Sequence, residues 1–483
     1  MFPSTLRAYL ALGVFALTGP GAVGAQTTPT ERTAAGPVLK SIDSLQAALG
    51  PATMASRMVA AKDVDRDRLV ARAGAIWDSE MQALSDWIGR NPEVGWKEFR
   101  AVDTLVKVLR KRGFTVDSGA AGLATAFVAR WVSPAGAAGP VLGLIAEYDA
   151  LRGTMGAFHG DQHNAQSPVA IAAALALQEQ MTARKIPGSI VVYGTPAEEV
   201  GPPAKTIMRE AGVFKGAGIL VRSHSSGETA RSRAGFGICC LNINEVKYIF
   251  TGRPSHQLSS WNGRNALEAA VHLYTAVDGL RSTFRPEASI QGVIPEGGIA
   301  PNVVPDRAVV DYYIRYPDGI YLEHISQMMD NAARAAALAT GTEVKIDRYG
   351  EYRDGIALGT LEETYFAYAT SLGAVRVEPE RQRPAGYEET GGVSLDVPGV
   401  GVSAASSTFS NHTQGMLDDA FTAVGHAGFR IDAQVMAAIL YHYLTDAPFR
   451  EAIRAEHAAL RGLYEQYQAN LRKAYATEMQ PPE

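Results

Sequence analysis

Three stretches of the chain place carboxylates and imidazoles directly after short apolar runs. After 141–146 come Glu147-Tyr148-Asp149 and then His159-Gly160-Asp161-Gln162-His163-Asn164. After 190–193 comes Thr195-Pro196-Ala197-Glu198-Glu199, and after 217–221 comes Ser223-His224. Imidazole nitrogens and carboxylate oxygens are the donors that suit divalent zinc or manganese. One such histidine would be an ordinary packing residue; three loops in agreement point to a metal site. Glu198 and Glu199 repel each other unless they have separate tasks. A cation can hold one of them while the other takes a proton from a water that the cation acidifies. A serine hydrolase is not expected, because no Gly-x-Ser-x-Gly elbow is present.

The elements that must carry these residues alternate between strand and helix. An amphipathic helix from about 71 leads to Asn91-Pro92-Glu93, and a second covers 98–112. The run 141–146 is too short for a helix and too apolar for an exposed strand, so it reads as a strand covered on both faces. An Ala-rich helix over about 168–184 and another over 204–212 separate the next two strands. That alternation predicts a mostly parallel sheet wrapped by helices, with the chemistry beyond the carboxyl ends of the strands. From 245 to 348 the order becomes βαββαβ, a ferredoxin-like pattern with two helices on one face of a small sheet. The expected organisation is a signal peptide at 1–25, a linker at 26–70, a catalytic α/β domain in two parts at 71–243 and 356–483, and a smaller inserted α+β domain at 244–355.

In motif and order the chain resembles the M20 family of metallopeptidases and amidohydrolases, in the branch of aminobenzoyl-glutamate and indoleacetyl-amino-acid hydrolases. The resemblance rests on Asn91-Pro92-Glu93, Glu147-Tyr148-Asp149-Ala150-Leu151, Pro196-Ala197-Glu198-Glu199 and Pro301-Asn302-Val303-Val304-Pro305, collinear over about 75–450. It implies two divalent ions, zinc or manganese, with Asp161, His163, Glu199, His224 and His412 as ligands and Glu198 as general base. Asp161 stands where the branch has Cys, and as a carboxylate it could bridge both ions. Gln162 replaces a Gly and adds bulk that could reshape the substrate pocket. The inserted domain is then a lid and dimer surface. Its His256, in Thr251-Gly252-Arg253-Pro254-Ser255-His256, would reach across a homodimer to polarise the scissile carbonyl. Asn302 and Arg315 would bind a substrate carboxylate, a role that suits an amide and a guanidinium. Asp149 and His159 would stand behind the ligands and orient them. Glu388-Glu389-Thr390-Gly391-Gly392 departs from the branch pattern and bears on specificity.

The expected reaction is therefore hydrolysis of the amide bond of a small N-acyl or N-aroyl amino acid, or of a short peptide with a free carboxylate. An aminopeptidase on the same site and a metal-containing binding protein without catalysis are the alternatives.

Composition agrees with an enzyme of this size and excludes other classes. The 483 residues are 46% hydrophobic, enough for a large core. Lys plus Arg number 45 against 50 Asp plus Glu, so no basic excess favours nucleic acid. The two cysteines, Cys239 and Cys240, are adjacent and read as small buried residues rather than a bridge. Arg7, the apolar run 8–17 and Val23-Gly24-Ala25 describe a cleavable export signal, so the protein is expected to be secreted or periplasmic. No later stretch is long and apolar enough to span a membrane.

Overall fold

A computed structural model describes residues 29–231, 242–378, 391–477 and 479. The expected signal peptide, the Cys239-Cys240 pair and Glu388-Glu389-Thr390 lie outside the described residues.

Six strands form the larger sheet. In spatial order they are Thr115–Ser118, Phe127–Val132, Ser189–Gly194, Val141–Ala146, Ile219–Ser223 and Gly399–Val402. The last four run parallel, and the first two add an antiparallel edge. Ser189–Gly194 is buried at every position, and Val141–Ala146 at all but its first. Both faces of these strands are covered, as their unbroken apolar runs require. The long helices His163–Arg184 and Ala423–Thr445 pack on each other and on the sheet, and both are almost wholly buried.

The second sheet has the order Ser289–Glu296, Arg307–Tyr316, Asn242–Thr251, Glu343–Tyr352, with every neighbour antiparallel. Helices Ala266–Leu280 and Gly319–Thr340 pack against it and against each other. The chain order of these elements is βαββαβ. Among the described residues no helix is long and apolar enough to cross a membrane.

Two segments differ from their sequence reading. Within the expected linker, residues 29–70 form the helices Pro29–Leu49 and Pro51–Ala60 and begin Val64–Ile76. Its Ala- and Ser-rich composition hides an apolar stripe, Ala34, Val38 and Ile42, spaced by four and buried against the C-terminal helix Ala447–Ala474. Burying Val38 and Ile42 contributes about 2 kcal/mol each. The Ala-rich helix also starts earlier than 168, at His163. Pro168 suggested a start because a first turn tolerates a missing N–H. The five extra residues bring His163 into the first turn, at the carboxyl edge of the sheet.

Candidate metal centre

The loop after Val141–Ala146 sets the geometry. Asp149 is fully buried; its Oδ1 lies 3.0 Å from His163 Nδ1 and its Oδ2 accepts from the Glu199 backbone N–H at 2.9 Å. One carboxylate thus fixes both a histidine ring and the loop carrying the two glutamates. With Nδ1 engaged, His163 presents Nε2, which is buried without a hydrogen-bond partner. That nitrogen lies 3.9 Å from Glu147 Oε2 and 3.9 Å from Glu199 Oε1. His412 Nε2 lies 3.3 Å from Asp161 Oδ2 and 3.7 Å from Glu199 Oε2. The His224 ring centroid is 5.6 Å from that of His163. Two donor groups, Asp161/His163/Glu199 and Glu147/His163/His224, each gather ligand atoms within 4.8 Å of one another. Bonds of about 2.0–2.2 Å to zinc allow such separations.

Three residues of the site hold a left-handed backbone without being glycine: Gln162 (φ 55°), Ala197 (φ 53°) and His412 (φ 65°). Such conformations are costly and persist only where neighbours over-determine them. Ala197 N–H donates to the buried Glu98 at 2.8 Å, which aims Glu198 and Glu199. His412 N–H donates to the Gly160 carbonyl at 2.9 Å. Gln162 does not face a substrate pocket, as its bulk had suggested. Fully buried, it donates to the Met416 carbonyl at 2.7 Å and accepts from Ser406 Oγ at 2.7 Å. It therefore braces the segment that carries His412.

Burial raises the Glu198 carboxyl to about 7, although the Lys205 ammonium and His163 pull it down. Burial likewise raises Glu199 to about 9, with Glu198, Asp161 and Asp149 adding repulsion against the attraction of His163. Burial opposes ionisation of Glu147 as well, but the Lys205 ammonium 2.7 Å away holds its carboxyl well below the usual range. His159 is buried and held neutral, pushed down to about 3. Five carboxyl groups, Glu147, Asp149, Asp161, Glu198 and Glu199, thus share one buried region. Divalent cations fit this donor set, because they relieve the repulsion and satisfy His163 Nε2.

Asp161, His163, Glu199, His224 and His412 come together, with Glu198 beside Glu199 and with Asp149 and His159 beside His163. The contacts described for His256 and Asn302 are with their own small domain: His256 pairs with Val303, and the Asn302 carbonyl accepts from Gln257 N–H at 3.0 Å. Arg315 is exposed on the strand Arg307–Tyr316, opposite Ser289. Glu147 has no role in the sequence reading, Asn411 counts there only as the neighbour of His412, and no motif marks Lys205 or Ser225. Ser225 Oγ donates to Asp161 Oδ1 at 3.1 Å, and Asn411 Nδ2 donates to the same oxygen.

Asp432 locks the strand end beneath His224. It is 1% exposed, accepting from Ser223 Oγ at 2.7 Å and from Ala404 N–H at 2.8 Å. Burial raises its carboxyl to about 7. The fold therefore favours the protonated form, so stability is full below the unfolded value near 3.9 and declines as pH rises toward 7. The decline is about 1.4 kcal/mol per pH unit. Asp432→Asn keeps the Ala404 bond on its amide oxygen, can donate Nδ2 to Ser223 Oγ in place of the accepted bond, and should remove this slope. Denaturant unfolding of variant and wild type at pH 5 and 7.5 checks it; parallel losses in both would contradict the assignment.

A peptidase dimerisation domain model matches residues 236–340. The chain is 33% identical over 360 residues to the Xaa-Arg dipeptidase of Mus musculus, covering 71% of this chain and 78% of that one. It is 31% identical over 299 residues to one of the chains of the p-aminobenzoyl-glutamate hydrolase of Escherichia coli, covering 59% and 58%. Among solved structures, the fold is shared with an aminobenzoyl-glutamate utilization protein from Klebsiella pneumoniae (TM-score 0.56, 16% identity, 76% of this chain and 96% of that one). It is also shared with a dinuclear metal-binding peptidase of the M20 family from Bacillus subtilis (TM-score 0.51, 18% identity, 79% and 99%).

Proposed function

Because the chain belongs to the M20 family of peptidases and amidohydrolases, we propose that this hydrolase cleaves the amide bond of a small N-acyl or N-aroyl amino acid, or of a short peptide, whose product amino acid keeps a free carboxylate. The observation that carries this reading is the convergence of Asp161, His163 and Glu199 donor atoms within 4.8 Å, with the Glu198 carboxyl next in the chain. The names of the relatives, a dipeptidase and an aminobenzoyl-glutamate hydrolase, describe amides of this kind.

Asp161, His163, Glu199, His224 and His412 would hold two divalent ions, zinc or manganese. When bound, such ions bring the pKa of a water from 15.7 to about 7 and draw electrons from an amide carbonyl. Glu198 takes the proton of the attacking water and returns it to the leaving amine. Its raised pKa suits both transfers near neutrality.

His256 supplies a donor from a partner subunit. Its Nδ1 accepts from Leu258 N–H at 3.1 Å, so in the neutral ring the proton sits on Nε2. Leu258 and Trp261 beside it are each 76% exposed, which suits a segment that closes on a second copy. His256→Ala should lower kcat about a hundredfold, the loss of one oxyanion donor, with metal content unchanged. A loss in KM alone would remove His256 from the reaction.

The test of the whole reading is a substrate panel. N-acyl and N-aroyl amino acids and dipeptides should be hydrolysed, and a chelator should abolish turnover. Hydrolysis of amino-acid arylamides alone would make the enzyme an aminopeptidase, and metal content without turnover would leave a binding protein.

A further inference from the structure

The Glu147–Lys205 pair has no role among the five ligands and the base. Both side chains are fully buried, with Lys205 Nζ 2.7 Å from Glu147 Oε1. Lys205 stands second in the short helix Ala204–Glu210, which follows the two-glutamate loop. Burying an ammonium and a carboxylate together is rarely a gain in stability alone, because desolvation offsets their attraction. The second carboxylate oxygen, Oε2, turns toward the ligands, 3.9 Å from His163 Nε2. Glu147, His163 and His224 offer ligand atoms within 4.8 Å of one another.

The donors available limit how two cations can be shared. With Nδ1 engaged by Asp149, His163 has one free lone pair and serves one ion. Asp161 is also constrained. Its Oδ1 accepts from both Ser225 and Asn411, whereas its Oδ2 lies 3.3 Å from His412 Nε2, which is itself 3.7 Å from Glu199 Oε2. An oxygen already accepting two hydrogen bonds is a poor bridge to a second ion. The cluster then divides into Asp161, Glu199 and His412 on one side and Glu147, His163 and His224 on the other.

We propose that Glu147 is a sixth metal donor, taking one divalent cation with His163 and His224 through Oε2. Lys205 is its positioning residue, pinning Oε1 so that a single oxygen faces the cation. The proposal rests on the two-ion reading of the site and replaces the Asp161 bridge with two separate three-residue positions. Supporting groups of this kind change metal affinity by roughly 10–100-fold.

Manganese chloride titration of the metal-free full chain tests it, followed by calorimetry and by electron paramagnetic resonance. Wild type should bind two ions and give the spin-coupled spectrum of a close pair. Glu147→Gln keeps the shape and an acceptor for Lys205. It should bind one ion at wild-type affinity, weaken the second at least about tenfold, and give the uncoupled six-line spectrum. Lys205→Met should weaken the same ion. If either variant melts before titration, Glu147→Gln/Lys205→Met removes both charges of the pair together and carries the same readout. Two ions bound by the Glu147 variants at wild-type affinity overturn the proposal. One ion bound by wild type also overturns it and leaves the hydrolase reading standing, whereas no ion bound by wild type removes that reading as well.

Discussion

Glu198→Gln should retain its bound cations and lose at least about a hundredfold in turnover, with KM little changed. Glutamine matches glutamate in shape and still fills the buried position after Ala197, but it cannot accept the water's proton. General-base catalysis by a positioned carboxylate is worth roughly 10²–10⁴-fold. The carboxyl is raised to about 7 chiefly by burial, and cations beside it lower that value. The acid limb of the wild-type pH–rate profile should therefore fall at or below about pH 7 and vanish in the variant's residual activity. Elemental analysis separates this outcome from simple metal loss. Turnover within a few-fold of wild type at full metal content would take the base role away from Glu198.

The same buried position explains what the sequence could and could not reveal. Strands covered on both faces have unbroken apolar runs, so Val141–Ala146 was legible residue for residue, and the ligands followed it at the strand ends. The βαββαβ order of the small domain was legible because its strands and helices keep distinct periods. The helices at 29–60 were not, since their stripe is written in Ala, Val and Ile within a composition that resembles a linker. Pairings across the fold left no local signal. The Glu147–Lys205 contact joins residues 58 positions apart in a tertiary fold that no motif spells out, and a lysine in a short helix ordinarily faces water. Gln162 misled for a related reason. A bulky residue where relatives have Gly suggested a filled pocket, yet its left-handed backbone turns the side chain to Ser406 and Met416. Residue type was readable there, but direction was not.

His163→Ala should leave no more than one cation bound and lower turnover by at least about a thousandfold. His163 is the residue common to both donor groups, so its removal strips the site where ligands are scarcest. Asp149→Ala provides the graded comparison. It keeps the imidazole but frees Nδ1 and the Glu199 backbone N–H together. Orienting partners of metal-bound histidines are worth roughly 10–100-fold in affinity or activity, so this variant should fall between wild type and His163→Ala. Excess manganese should restore much of its activity, because every ligand is still present and only its aim is lost. The same excess should do little for His163→Ala, where a donor is missing. Full rescue of both variants by manganese would mean that His163 is not a ligand and that the buried cluster is organised around some other atom.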